Sequence, residues 1–269
     1  MSGAGASPNS GTAAFYVPLG DDRFASTAHT SGPWDPGLQH GGPPSALAAR
    51  AIERESWSWP GTVVRISVDI LGPVPVAELT VRSRVLRPGR SVELVEAELR
   101  AGARAVLRAQ AWRVRRAELD LPATPATDDG EPPTLPAGES ALPDGWSGGY
   151  LHAMEWRQSS GRWGEPGAAA IWGRMRYPLL PDEEPSGLQR IMAIADSGSG
   201  VSGVLPFDEW IYINPELTVH LAAQPSGEWI CLDAATRVDA GGYGLASSRL
   251  WDRERLVARG AQSLLVTPR

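Results

Sequence analysis

Gln39-His40-Gly41-Gly42-Pro43-Pro44 in the first half of the chain, answered by Ser186-Gly187 in the second, sets the reading of the fold. Each stretch opens an apolar-striped segment at helical spacing, predicted over residues 45–54 and up to about residue 197. Long strand-like runs follow each one. The two series close on similar phrases, Arg108-Ala109-Gln110-Ala111-Trp112 and Gly260-Ala261-Gln262-Ser263-Leu264. A plan written twice fixes the architecture before any local detail does. Breaks at Gly72-Pro73, Pro88-Gly89 and Ala101-Gly102 indicate hairpins, and so antiparallel pairing rather than alternating βαβ units. The expected fold is α+β: one long helix wrapped by an antiparallel sheet, made twice and joined face to face.

This plan divides the chain into a flexible Gly/Ala/Ser tail (1–13), a first repeat (14–117), a linker (118–146) and a second repeat (147–269). The linker is marked by Pro, Asp, Thr and Gly with little periodicity. Strands are predicted at 16–19, 23–26, 63–71, 78–86, 92–99 and 103–115. In the second half they are predicted at 150–157, 168–177, 217–222, 229–237, 244–251 and 256–266.

Composition removes several function classes. At 269 residues and 42% hydrophobic, the chain is long enough to bury a full core. No run approaches the roughly 20 apolar residues of a membrane span. A net charge of -6 argues against a nucleic-acid partner. There is no lysine, which excludes Schiff-base catalysis. The single Cys231 excludes an internal disulfide and fits a reducing cytoplasm; it is expected to be buried in a strand. Neither a His-Glu-x-x-His motif nor a cysteine cluster occurs, so no metal or cofactor is implied.

The chemistry centres on an acid in an apolar stripe. Leu188, Ile191, Met192, Ala195 and Asp196 share one helical face. A carboxylate buried there needs partners. Asp196 is either a base held for catalysis or a residue that ends the helix before Ser197-Gly198-Ser199-Gly200. In the last strand Gln262 interrupts an apolar face made by Leu256, Ala258, Gly260, Leu264 and Val266. Its amide bonds either Asp196, directly or through water, or neighbouring backbone. Thr236 is a third candidate, with Asp233 close by. Aligning Gly42 with Gly187 puts Ala51 opposite Asp196, and a one-residue slip gives Arg50 or Ile52. No carboxylate falls at that point of the first helix, so a single working site is expected. The Gly41-Gly42 turn is either an ordinary tight turn or a helix N-terminus whose amides polarise a carbonyl. His40 either adds a side chain there or caps the turn.

Taken together, Gln39 to Pro44, Ala195 to Gly200, Leu217-Thr218-Val219-His220-Leu221 and Gly260 to Leu265 resemble the double-hotdog acyl-CoA thioesterase family, the type II bacterial thioesterase-like group. The resemblance covers about residues 15–266. It implies two tandem hotdog repeats with a site between them, where an Asp, a Thr or Ser and a Gln hold and activate water. Asp196 and Gln262 match the first and last. The hydroxyl falls to Thr236, with Arg237 the alternative one register away. The implied reaction is hydrolysis of an acyl-CoA or acyl-carrier-protein thioester in the cytoplasm, with His40, Gly41 and Gly42 at the substrate and no cofactor. Arg104, Arg108, Arg113, Arg115 and Arg116 crowd one strand, either as a solvated face or as contacts for the phosphates of CoA. Two rivals on the same scaffold are a non-catalytic acyl-thioester-binding module and a dehydratase-like enzyme; the Asp-x-Asn-x-x-His motif of hydratase relatives is absent. Exposed sheet edges leave room for a homo-oligomer.

Overall fold

The computed structural model describes residues 14–122, 129–143 and 145–269. The tail expected over residues 1–13 and part of the expected linker lie outside them. The first half runs β1 (Tyr16–Gly20), β2 (Arg23–Ser26), α1 (Gly42–Arg54), β3 (Gly61–Ile70), β4 (Glu78–Arg87), β5 (Val92–Ala101) and β6 (Arg104–Arg115). The second begins with α2 (Gly149–Ala153), β7 (Met154–Ser160), β8 (Ala169–Met175), α3 (Gly187–Ala195) and α4 (Gly198–Val201). It ends with β9 (Trp210–Ile213), β10 (Glu216–Leu221), β11 (Ile230–Asp239), β12 (Tyr243–Trp251) and β13 (Leu256–Pro268).

The strands form one antiparallel sheet in the order β1-β2-β4-β5-β6-β3-β10-β13-β12-β11-β8-β7, with β9 added beside β13. Read inward from its two edges, the sheet gives the same connectivity twice. The halves meet where β3 pairs β10, with Ile66 opposite Val219 and Val68 opposite Leu217. All four side chains are buried, so the seam is also a piece of the core.

Both helices lie against this sheet and against each other. α1 starts three residues earlier than its apolar stripe predicts. Pro43 and Pro44 occupy its first turn, where a missing N–H breaks no helical bond. α3 is capped by Ser186, whose Oγ accepts from the Gln189 amide at 3.1 Å. It stops at Ala195 with Asp196 as its C-cap, short of the expected residue 197. Gly42 lets the start of α1 touch the last turn of α3: a Cβ there would lie 2.2 Å from the carbonyl oxygen of Ala193. That contact places the two candidate halves of a site side by side.

Three of these elements were not foreseen, among them α4, a single turn in the Ser-Gly stretch expected to follow the helix end. α2 is a single turn inside a predicted strand, too short for a periodic pattern. β9 is a four-residue apolar run without alternation. The described linker residues 129–143 carry no helix or strand; about half are exposed, and others are strapped to the second half. The Trp172 indole donates to Pro133 O at 3.2 Å, and Ser140 exchanges bonds of 2.8 Å with Trp156 and Gln158.

The arginines of β6 do not form one solvated face. Arg113 is fully buried, 2.5 Å from Glu93 Oε1 and stacked 3.9 Å over the Trp57 ring. It donates to the carbonyls of Ile52, Glu55 and Ser56, which α1 leaves unpaired at its C-terminal end. Cys231 is buried as expected, and burial pushes its thiol up.

Candidate active site

Asp196 is only 8% exposed, at the point where α3 ends against the turn before α1. Its Oδ1 accepts from Asn214 Nδ2 at 2.7 Å and from Gln262 Nε2 at 3.4 Å. Gln262 also donates to the Asp196 carbonyl at 3.0 Å and accepts from the Ser199 amide at 3.3 Å. One side chain from β13 therefore ties together the end of α3 and the first turn of α4. Gly198 makes room for it, since a Cβ there would meet Gln262 Oε1 at 2.6 Å.

Oδ2 of Asp196 receives no hydrogen bond among the described residues. It faces Gly41, where a Cβ would stand 2.6 Å from it, and His40, whose Nδ1 is 3.4 Å away. Nδ1 accepts the Gly42 N–H at 3.0 Å, so its lone pair is occupied and the proton sits on Nε2. Burial holds the imidazole below the usual histidine range, against the opposing pull of Asp196. The approach of His40 to Asp196 is therefore a contact of a neutral ring, not an ion pair. The ring stacks on Tyr150 at 3.9 Å, and Tyr150 donates to Ala193 O at 2.8 Å. Ser197 completes the chain by donating to the Tyr150 oxygen at 2.9 Å.

The helix N-terminus is poorer in donors than its two glycines suggest. Pro43 and Pro44 have no N–H. The Gly42 amide is taken by His40, and the Ser45 amide by Gly41 O. This leaves the Gly41 N–H, which has no acceptor among the described residues. The loop carrying it is held by Gln39, which donates to Pro75 O at 2.8 Å and accepts from Tyr16 at 2.6 Å.

The structure brings His40, Gly41, Gly42, Asp196 and Gln262 together, and it sets Thr236 apart. Thr236 is buried on the inner face, while Arg237 is exposed on the opposite face. Thr236, Ala246 and Gln262 lie in one row across β11, β12 and β13. Two strand spacings separate the outer pair, about 10 Å between Cα atoms. The Thr236 hydroxyl bonds Ser202 Oγ at 2.9 Å beneath α4. Sequence reasoning missed Asn214 and Tyr150. The Asn214-Pro215 pair, a turn signal just before β10, was the available hint for the first.

At the end of α1, position 51 is indeed Ala. Two residues on, however, Glu53 sends a carboxylate to the start of α3, bonding Ser186 Oγ at 2.8 Å and Gln189 Nε2 at 2.9 Å. Burial raises this carboxyl above its usual range. Its oxygens are engaged by those two side chains, in contrast with Oδ2 of Asp196.

Asp196 opens onto a cavity of about 540 Å³ between the two halves. Its walls are largely apolar, from Trp34, Leu38, Ile70 and Val74 on one side and Trp146, Trp163, Phe207 and Ile213 on the other. A buried carboxylate at the wall of an apolar cleft is the common form of a small-molecule site. No group of three or more His, Cys, Asp and Glu side chains among the described residues is placed to hold a metal ion.

Residues 30–114 match the family model of the acyl-CoA thioesterase N-terminal domain, and residues 124–266 that of the C-terminal domain. The chain belongs to the acyl-CoA thioesterase family. It is accordingly a hydrolase of the thioesterase type. Solved structures share its double-hotdog fold. A hot dog fold protein of unknown function from Alicyclobacillus acidocaldarius is 16% identical, with a TM-score of 0.71 over 93% of this chain and 95% of that one. A putative thioesterase II from Thermobifida fusca is 19% identical, with a TM-score of 0.67 over 95% and 96%. The acyl-CoA thioesterase II TesB2 of Mycobacterium marinum is 15% identical, with a TM-score of 0.63 over 94% and 95%. No curated protein matches the chain significantly. Among the described residues, no helix of this thioesterase is long and apolar enough to cross a membrane.

Proposed function

We propose that this thioesterase cleaves acyl-CoA or acyl-carrier thioesters by direct attack of water, with Asp196 as the general base. The carrying observation is the split between the two Asp196 oxygens. Oδ1 is held by Asn214 and Gln262, whereas Oδ2 lacks a donor and faces Gly41 at the cavity wall. A water between Oδ2 and the thioester carbon would give its proton to Oδ2 as the new C–O bond forms. The carbonyl oxygen, gaining charge, would meet the Gly41 N–H, with the Nε2–H of neutral His40 as a second donor. Collapse of the tetrahedral species breaks the C–S bond, and the thiolate leaves and takes a proton from Asp196 or solvent. No covalent acyl-enzyme is needed.

In this mechanism Gln262 and Asn214 orient the base and its water, and Thr236 supports α4 from below. Residues 14–117 and 147–269 are taken as the two repeats, because the site draws Gly41 from one and Asp196 from the other. The test is thiol release from a series of acyl-CoA thioesters by the parent protein and Asp196→Asn. A fall of about 10²- to 10⁴-fold is expected for loss of a general base. Equal rates in both proteins would overturn the assignment, and ligand binding without turnover by the parent would favour a binding module.

A further inference from the structure

We infer that the acyl group enters an aromatic arm of the cavity, and that aryl-acyl thioesters are the preferred substrates. This rests on the water-attack reading above. The cavity lining has two parts of different character. One is built from indole and phenyl rings: Trp146 stands 5.9 Å from Trp163 at 72° and 4.9 Å from Phe207 at 86°, edge to face in both cases. Trp34, from the other half, forms the outer wall at 5.8 Å from Trp146. The other part is aliphatic and lies by Ile70, Pro73 and Ile213, of which Pro73 and Ile213 are exposed.

The inner floor of the aromatic part is sealed by buried rings, while its outer wall, Trp34, is 57% exposed. Trp163 is 6% exposed, and its indole donates to Gly200 O at 3.2 Å. Behind it lies buried Trp156, 5.1 Å away, with its own indole bonded to Leu151 O at 2.9 Å. A CoA thioester carries a charged nucleotide that has to stay in water, so the buried floor of rings is left to the acyl group. Gly200, to which Trp163 is bonded, lies in α4, which begins two residues after Asp196. Edge-to-face walls reward a flat ring at this position. A long unbranched chain finds no continuation past Trp163.

The experiment measures kcat and KM for phenylacetyl-CoA, hexanoyl-CoA and palmitoyl-CoA with the parent, Trp146→Ala and Phe207→Ala. Alongside it, binding of the non-hydrolysable phenylacetyl-CoA and palmitoyl-CoA thioethers is followed by tryptophan fluorescence. The parent is expected to favour phenylacetyl-CoA over palmitoyl-CoA in kcat/KM by at least about tenfold, and each variant to lose most of that ratio. A parent that turns over palmitoyl-CoA as well as phenylacetyl-CoA, or variants that slow all three substrates equally, would overturn the proposal. If the aryl thioether binds preferentially while no thioester is cleaved, the arm stands and the water-attack reading fails. If thioesters are cleaved and the thioethers bind alike, the reverse holds.

Discussion

Asn214 Nδ2 lies 2.7 Å from Asp196 Oδ1, which leaves Oδ2 as the carboxylate oxygen without a hydrogen-bond donor. Asn214 sits between β9 and β10, so a residue from the centre of the sheet sets the aim of a residue at a helix end. Asn214→Ala should lower kcat by roughly tenfold to a hundredfold while leaving KM near its original value, the mark of an orienting group acting on the reacting state. Asp196→Asn should cost more than Asn214→Ala. A milder effect for Asp196→Asn, measured on the same thioester, would remove Asp196 from the role of base.

Gln262 and Thr236 should separate kinetically. Thr236→Val keeps the shape and removes a hydroxyl that bonds Ser202, so kcat should stay within about threefold and stability fall by about 1 kcal/mol. Gln262→Ala removes bonds to both the side chain and the carbonyl of Asp196 and should cut kcat by about a hundredfold. Steady-state rates with denaturation midpoints check both, and a hundredfold loss in Thr236→Val would bring the threonine back into the chemistry.

Gly41→Ala should abolish turnover without unfolding the protein. Its new methyl would stand 2.6 Å from Asp196 Oδ2 and 2.9 Å from Oδ1, so the carboxylate would be pushed out of its position. Near-parent circular dichroism combined with measurable hydrolysis would contradict this.

His40 gives stability a definite pH dependence. Its folded-state imidazole titrates below the ordinary value of about 6.5 that it has in the unfolded chain. Below about pH 6.5 the unfolded chain binds a proton that the folded protein refuses, so this contribution is complete above that pH and is lost as pH falls toward the depressed folded value. Between pH 7 and 5 the melting temperature of the parent should fall more steeply than that of His40→Asn. Parallel curves would show that His40 does not titrate in this way.

Arg113→Met leaves the Glu93 carboxyl sealed in the core without its partner, and removes the donors that close α1. Breaking one partner of a buried pair costs about 3–5 kcal/mol. The double variant Arg113→Met, Glu93→Leu should recover part of that loss in urea melts, and no recovery would mean that the carbonyl caps outweigh the ion pair.

The duplicated plan was legible because a whole half repeats, and a match of that length survives errors in single elements. Asp196 and Gln262 could be paired from sequence because each is a polar break in an otherwise apolar face. Asn214 breaks no pattern: it occupies a connection between two strands, where polar residues are ordinary, and only tertiary pairing gives it an acid to hold. Thr236 is the opposite case. Strand alternation placed it on the inner face correctly, but that face is several strands wide, and a period of two carries no information about lateral distance. Arg113 was misread because a strand's charged positions look alike until one of them is found to close a helix.

The β3–β10 seam carries one more consequence. Because the proposed site draws Gly41 from one half and Asp196 from the other, neither half alone holds the proposed oxyanion donor and base at once. Two separately expressed fragments, cut within residues 118–146, should be silent apart and active when mixed, so that thioester cleavage becomes a readout of fragment complementation across the β3–β10 pair and the α1–α3 contact.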